Sequence, residues 1–181
     1  IHYDVAGGDD APIPTDIDPE NGIPDYVEKV GDIADSTRQI LVDVMGFRPE
    51  INDADGKYHI YIVDLGSDFS AVYGWNYVDN ADDITGTSWV EIDNDYSEDS
   101  YYTNGIKAMQ ATVAHEFFHA IQRAYRENSQ QPTNVSYFYE FTSMWIEDII
   151  VPDGNDYLHF MASSADESRF FSNPEQKFSD T

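Results

Sequence analysis

The chain has 181 residues, 41% of them apolar, which is enough for one domain with a sizeable core. Its 35 acidic residues outnumber 9 basic ones, and the resulting net charge of −26 disfavours a nucleic-acid backbone and an anionic membrane surface as partners. Because cysteine is absent, disulfides, thiolate metal sites and cysteine nucleophiles are excluded.

Residues 1–181 read as a single domain, since the sequence shows no internal repeat and no long linker. No apolar run approaches the roughly 20 residues of a membrane helix, so we expect no membrane insertion. A start at Ile1 without a signal peptide predicts a processed form or a fragment, with truncation at Thr181 as one alternative. The sequence gives no prediction of the oligomeric state.

The first 23 residues are rich in Asp, Gly and Pro and predict an acidic loop. Residues 16–28, DIDPENGIPDYVE, are similar to a calcium loop that runs into a helix, although the first two acidic residues fall one position too early. This pattern predicts a Ca²⁺ site with oxygens from Asp16, Asp18, Glu20 and Asp25. The alternative is a helix N-terminus whose acidic residues suit the helix dipole.

A long helix is predicted from Pro24 to Gly46, with apolar residues at helical spacing from Tyr26 to Val44 forming one buried face. Three strands are predicted next, within residues 57–65, 71–78 and 88–93, because these stretches are rich in β-formers and separated by Asn, Asp and Gly.

Two further helices complete the pattern. The first lies within residues 103–125, with Thr103 or Asn104 as its cap. Its main apolar stripe consists of Met109, Val113, Phe117 and Ile121. The second helix is predicted over 136–151, stopped by Pro152.

The stretch AHEFFHAIQ (114–122) places His115 and His119 on the helix face opposite that stripe. Residues four apart on a helix lie about 6 Å apart at Cβ, so two imidazoles there can bind one zinc ion at about 2.0–2.1 Å. Glu116 flanks such an ion, where its carboxylate can take a proton from water. A histidine pair on an ordinary amphipathic helix and a zinc pair without catalysis are the alternatives.

A catalytic zinc site needs a third protein ligand and an open fourth position. The pattern HExxHxxGxxH fails, because Gln122 and Tyr125 occupy the last two required positions. Glu140 and Glu147 on the following helix are the main candidates for the ligand, with Asp148 third. Glu140 and Glu147 share a face about 10 Å apart along the axis, so only one can bind the ion while the other orients a ligand histidine.

HEFFH followed by YEFTSMWIED resembles the gluzincin arrangement of zinc metallopeptidases, in which HExxH is followed by a Glu on a second helix. With NGIPDYVEKV, HIYIVDLG and YGW, residues 16–160 resemble a group of secreted bacterial proteins assigned as metallopeptidases. The resemblance implies that His115, His119 and Glu140 bind zinc and that Glu116 is the general base. Phe141 and Ser143 depart from the Gly and Ala usual in that group.

These observations lead us to expect an α+β, zincin-like domain with a small, mostly antiparallel sheet and a long backing helix. The expected function is extracellular, zinc-dependent hydrolysis of protein or peptide substrates. The alternative is a non-catalytic, secreted binding or adhesion module on a zincin scaffold.

The transition-state oxyanion needs a further donor, for which Tyr157 and His159 are the main candidates. Tyr137 and Tyr139 are alternatives. SWVEID (88–93) is expected to line the cleft, where an extended substrate could pair with a sheet edge.

Overall fold

The computed structural model describes residues 1–5, 7–66, 72–78, 86–125 and 136–154. Within these ranges the elements are α1 (Asp25–Arg38), a π-helical continuation (Gln39–Val44), β1 (His59–Val63), β2 (Gly74–Tyr77), β3 (Trp89–Asp93), α2 (Gly105–Arg123) and α3 (Ser136–Ile150). The predicted α+β class and the predicted order of elements are confirmed. Among the described helices, none is both long and apolar enough to cross a lipid bilayer.

The three strands form a mixed sheet in the order β1-β3-β2. β3 pairs in parallel with β1 and antiparallel with β2, so the prediction of a mostly antiparallel sheet is wrong. β3 follows β1 and β2 in sequence but lies between them in the sheet, and its Val90 and Ile92 are buried in the core. β2 is therefore an edge strand of the described sheet.

Two apolar clusters hold the helices in place. The first joins α1, the inner face of the sheet and the N-terminal half of α2, through residues such as Val30, Ile92 and Val113. The second joins the end of the long helix to α2 and α3, through Leu41, Phe117 and Ile146 among others. Since Ile146 is fully buried between helices, α3 is fixed against the C-terminal half of α2.

The last part of the long helix departs from the predicted buried face. Val44 was expected to be buried but is 76% exposed. The amide of Met45 donates to the carbonyl of Ile40 at 2.9 Å, an i to i−5 bond. This wider turn rotates the side chains away from the 3.6-residue spacing on which the prediction depended. Gly46, at φ 77°, follows this segment as the predicted terminator.

Candidate metal centre

The middle of α2 carries the HExxH residues on the side that faces α3. His115 and His119 are each partly buried, with 17% and 14% of their side chains exposed. Their rings lie 4.8 Å apart between centroids and are inclined by 78°. The main stripe of α2 is buried in the two apolar clusters, so the helix places its two imidazoles on a second, polar interface.

Glu140 comes from α3 to meet both histidines. Its Oε2 lies 3.2 Å from Nε2 of His115, and its Oε1 lies 3.6 Å from Nε2 of His119. One ligand atom from each of the three residues lies within 4.8 Å of the others, and they form the one such group among the described residues. Tetrahedral zinc ligands at about 2.0–2.2 Å from the ion are roughly 3.3–3.6 Å apart. The donor set therefore fits a divalent metal ion of the zinc type.

The second nitrogen of His115 is held by another residue of α3. Nδ1 of His115 lies 2.5 Å from Oε1 of Glu147. A carboxylate at this position accepts a hydrogen bond from Nδ1–H, so Nε2, on the Glu140 side of the ring, is the nitrogen that a metal ion would use. The structure places Glu140, the ligand that the resemblance implies, with the Nε2 atoms, and it places Glu147 behind His115.

His119 is oriented by Gln122, a residue to which the sequence analysis gave no role. Oε1 of Gln122 lies 2.8 Å from Nδ1 of His119. The amide nitrogen of Gln122 donates to the carbonyl of Tyr139 at 2.9 Å and to the hydroxyl of Thr142 at 2.8 Å. Gln122 therefore joins His119 to α3. Its position one turn after His119, on the same helix face, was the available sequence signal.

The carboxylates of Glu116, Glu140 and Glu147 give this cluster a strong negative charge. Burial acts to lower the pKa of His115, but hydrogen bonds to Glu140 and Glu147 raise it to about 10. Hydrogen bonds from His115 first and His119 second hold the pKa of Glu140 well below its usual range. The cluster thus favours a positive charge at its centre, whether a proton or a metal ion carries it.

Glu116 lies beside the ligand group and is buried, with 8% of the residue exposed. Burial raises the pKa of Glu116, and the neighbouring His115 and His119 oppose that rise. A carboxylate with a raised pKa, next to a cation site, is the usual environment of a general base.

Two adjoining cavities flank the cluster and share Gly74, Glu116 and Glu140. The first, of about 380 Å³, is also lined by Trp75, Asn76, His119, Gln122, Arg123 and Tyr139. The second, of about 250 Å³, is also lined by Tyr73, Ala111, Thr112, His115, Met144 and Glu147. Together they make a cleft that passes Glu116 and Glu140.

β2 borders this cleft, whereas SWVEID was expected to do so. Trp89–Asp93 of this stretch form the central strand β3, whose Ile92 is fully buried in the core. A Cβ atom added to Gly74 of β2 would lie 2.5 Å from Cγ2 of Thr112 and 3.1 Å from Cγ of Glu116. Only glycine allows β2 to approach α2 this closely, so Gly74 sets the width of the cleft beside Glu116.

The predicted oxyanion donors are not placed by the structure. Tyr157, His159 and the side chain of Tyr137 lie outside the described residues. Tyr139 lines the larger cavity with Glu116 and Glu140. Arg123 also lines this cavity, and its Nε donates to Oδ1 of Asn76 at 2.7 Å.

The predicted calcium loop shows no comparable convergence of ligands. Both carboxylate oxygens of Asp16 accept backbone N–H groups, from Asn21 at 3.1 Å and Gly22 at 2.7 Å. Oδ1 of Asp25 accepts the amides of residues 17 and 18 at 3.0 and 3.2 Å. Asp16, Asp18, Glu20 and Asp25 do not form a metal-sized group in the described part of the chain. The calcium site remains a sequence prediction.

Comparisons with known proteins identified no relatives: no family model matches the chain, and neither does any curated protein or any solved structure.

Proposed function

We propose that the protein is a zinc-dependent metallopeptidase that cleaves peptide bonds by attack of water. The observation that carries this proposal is the meeting of two Nε2 atoms and one carboxylate, with a buried glutamate beside them. His115, His119 and Glu140 would hold the ion. When bound, zinc supplies Lewis-acid polarisation of the substrate carbonyl and acidifies a water molecule.

Glu116 performs the proton transfers in this proposal. Its carboxylate takes a proton from the attacking water, and the resulting carboxylic acid delivers it to the amine that leaves when the C–N bond breaks. Burial supports this role, because a raised pKa lets Glu116 accept and return a proton more easily near neutral pH.

Glu147 and Gln122 keep the two ligand histidines in the required tautomer. Each accepts a hydrogen bond from Nδ1, at 2.5 Å and 2.8 Å respectively, so that Nε2 is available to a metal. Glu147 and Gln122 thereby fix the direction of both ligands.

The substrate is proposed to be an extended peptide. β2 is an edge strand of the described sheet, and Gly74, Trp75 and Asn76 line the cavity next to Glu116. An edge strand can pair with an extended peptide through backbone hydrogen bonds, which do not depend on the side chains of the peptide. Extracellular location is proposed only from the sequence resemblance given above.

The test is cleavage of an unstructured protein by the purified, zinc-loaded chain. We expect cleavage that a chelator abolishes and that added zinc restores. Glu116→Gln should lower the rate by about 10²–10⁴-fold, the usual contribution of a general base, while the zinc content stays equimolar.

Glu98→Gln is the matched control, because it removes the same charge from an exposed position and should leave the rate unchanged. Full zinc binding by the wild type without any cleavage would refute the peptidase proposal. That result would favour a non-catalytic binding or adhesion module instead.

A further inference from the structure

The outer face of the sheet, on the side opposite the apolar core, carries a block of aromatic side chains. In β3, Val90 and Ile92 are buried in the core, so Trp89 and Glu91 project from the other face. The edge strand adds Tyr77 to this block. The rings of Tyr77 and Trp89 stack at 5.7 Å between centroids, inclined by 22°.

One carboxylate lies at the centre of this block. Glu91 is paired with Tyr61 of β1 on one side and with Trp75 of β2 on the other. Trp89 precedes it on the same face, and Nε1 of Trp89 donates to Oε1 of Glu91 at 3.3 Å. Cβ atoms of directly paired residues lie about 5 Å apart, so Glu91 lies between Tyr61 and Trp75, with Trp89 beside it on the same face.

A cavity of about 350 Å³ opens beside Glu91. Among the described residues that line this cavity, Asp53 supplies a second carboxylate, and none is a lysine or an arginine. The lining residues are Asp53, His59, Tyr61, Thr87, Ser88, Trp89 and Glu91.

The rings differ in how much of their surface a ligand can reach. The ring of Tyr61 is stacked on His2 at 4.4 Å between centroids, so one of its faces is covered. Trp75 and Tyr77 remain 47% and 39% exposed. The accessible aromatic surface therefore lies on the β2 side of Glu91.

We propose that this outer face binds the cationic side chain of a basic peptide, with Glu91 as the charge partner and Trp75, Tyr77 and Trp89 as the aromatic surround. A cation within about 6 Å of an aromatic ring centroid is attracted by the ring quadrupole, most strongly by tryptophan. Arginine fits best, because its planar guanidinium both stacks on rings and pairs with a carboxylate.

The net charge of the whole chain also favours binding of a basic peptide. A formal net charge of −26 raises the local concentration of basic partners and speeds their association. This inference goes beyond the proposed function, since the site needs neither zinc nor hydrolysis. Trp75 also lines the cavity beside Glu116, so a peptide bound here lies next to the candidate cleft.

The experiment is a fluorescence titration with a blocked Gly-Arg-Gly peptide and, in parallel, with its citrulline counterpart. Citrulline keeps the shape of arginine but has no charge. The protein carries Trp145→Phe, so that only Trp75 and Trp89 report, and Glu116→Gln, so that no peptide is consumed. We expect the arginine peptide to bind at least about tenfold more tightly than the citrulline peptide.

Glu91→Gln should remove that difference, and Trp75→Ala should weaken binding of the arginine peptide several-fold. Glu98→Gln, which removes one charge from an exposed position elsewhere, should change binding less than twofold. Circular dichroism of each variant establishes that it is folded.

Equal binding of the two peptides, or no binding of the arginine peptide by folded protein, would overturn the inference. An equal loss in Glu91→Gln and Glu98→Gln would do so too, because it would show only the general field of an acidic protein. A failure of zinc binding or of peptide cleavage would refute the proposed function and leave this result unaffected.

Discussion

The carboxylates in the two regions predicted to bind metals have different hydrogen-bond partners. At the α2–α3 interface, Glu147 and Gln122 engage the second nitrogens of the histidines, and Glu140 meets both Nε2 atoms. In the acidic loop, Asp16 and Asp25 accept N–H groups of the loop itself. At the helix interface, neighbouring side chains fix the direction of the histidines and leave their Nε2 atoms available for a metal. In the acidic loop, backbone N–H groups already use carboxylate oxygens of Asp16 and Asp25, so these side chains have a structural role.

The largest difference between the two regions should appear when one metal ligand is removed. We expect His119→Ala to lower zinc affinity by at least about 100-fold, since the loss of a ligand exceeds the usual effect of losing its orienting partner. Elemental analysis after dialysis against weak chelator measures the result. Asp16→Asn, in the acidic loop, should leave the zinc content unchanged. Equal loss of zinc from both variants would contradict the proposed difference between the two regions.

A smaller effect on zinc affinity is expected from Glu147, which lies behind His115. Glu147→Gln replaces the carboxylate acceptor at Nδ1 by a neutral amide and should weaken zinc binding about 10–100-fold. Competition with a chromogenic chelator gives the affinity. The adjacent Asp148→Asn removes the same charge from the same helix and serves as the control. If the two variants weaken binding equally, Glu147 acts only through its charge.

Gln122 should matter less than Glu147, because its amide oxygen is a neutral acceptor and so makes a weaker hydrogen bond. We expect Gln122→Leu to weaken zinc binding by about tenfold. The same competition assay measures it. Gln122→Glu retains the acceptor for His119 but loses the donor to the Tyr139 carbonyl, so it should recover part of the affinity. Unchanged zinc affinity in Gln122→Leu would remove the proposed positioning role.

The smallest effect is expected in the acidic loop. Asp16→Ala removes both acceptors used by Asn21 and Gly22, and should lower the free energy of unfolding by about 1 kcal/mol. Asp18→Ala is the control, because the Asp18 side chain is exposed and in the same loop. Urea denaturation with and without Ca²⁺ measures both. Calcium stabilisation of the wild type that Asp16→Ala abolishes would support the calcium prediction.

Much of the secondary structure was predictable because it depends on local periodicity. The stripe from Met109 to Ile121 predicted α2, and all four of its residues are buried. The predicted N-cap residue Asn104 directly precedes the helix in an extended conformation. The strands fall within the predicted stretches, since alternation and β-formers mark them without reference to any partner.

Three features could not be predicted, because regular helical spacing and strand alternation do not specify them. Parallel pairing of β1 with β3 depends on how the chain returns to the sheet, which side-chain alternation does not encode. The exposure of Val44 depends on a π-helical turn. The close approach of Gly74 to α2 became visible only once β2 and α2 were packed together.

The sequence by itself determined that two imidazoles share one face of a helix with a glutamate beside them, because helical spacing follows from covalent geometry and backbone hydrogen bonds. It also determined the acidic surface and the absence of thiolate ligands. Only the tertiary structure decided that Glu140 meets both histidines while Glu147 lies behind one of them. That choice depends on how α3 is rotated and shifted against α2, which the burial of Ile146 in the second apolar cluster fixes.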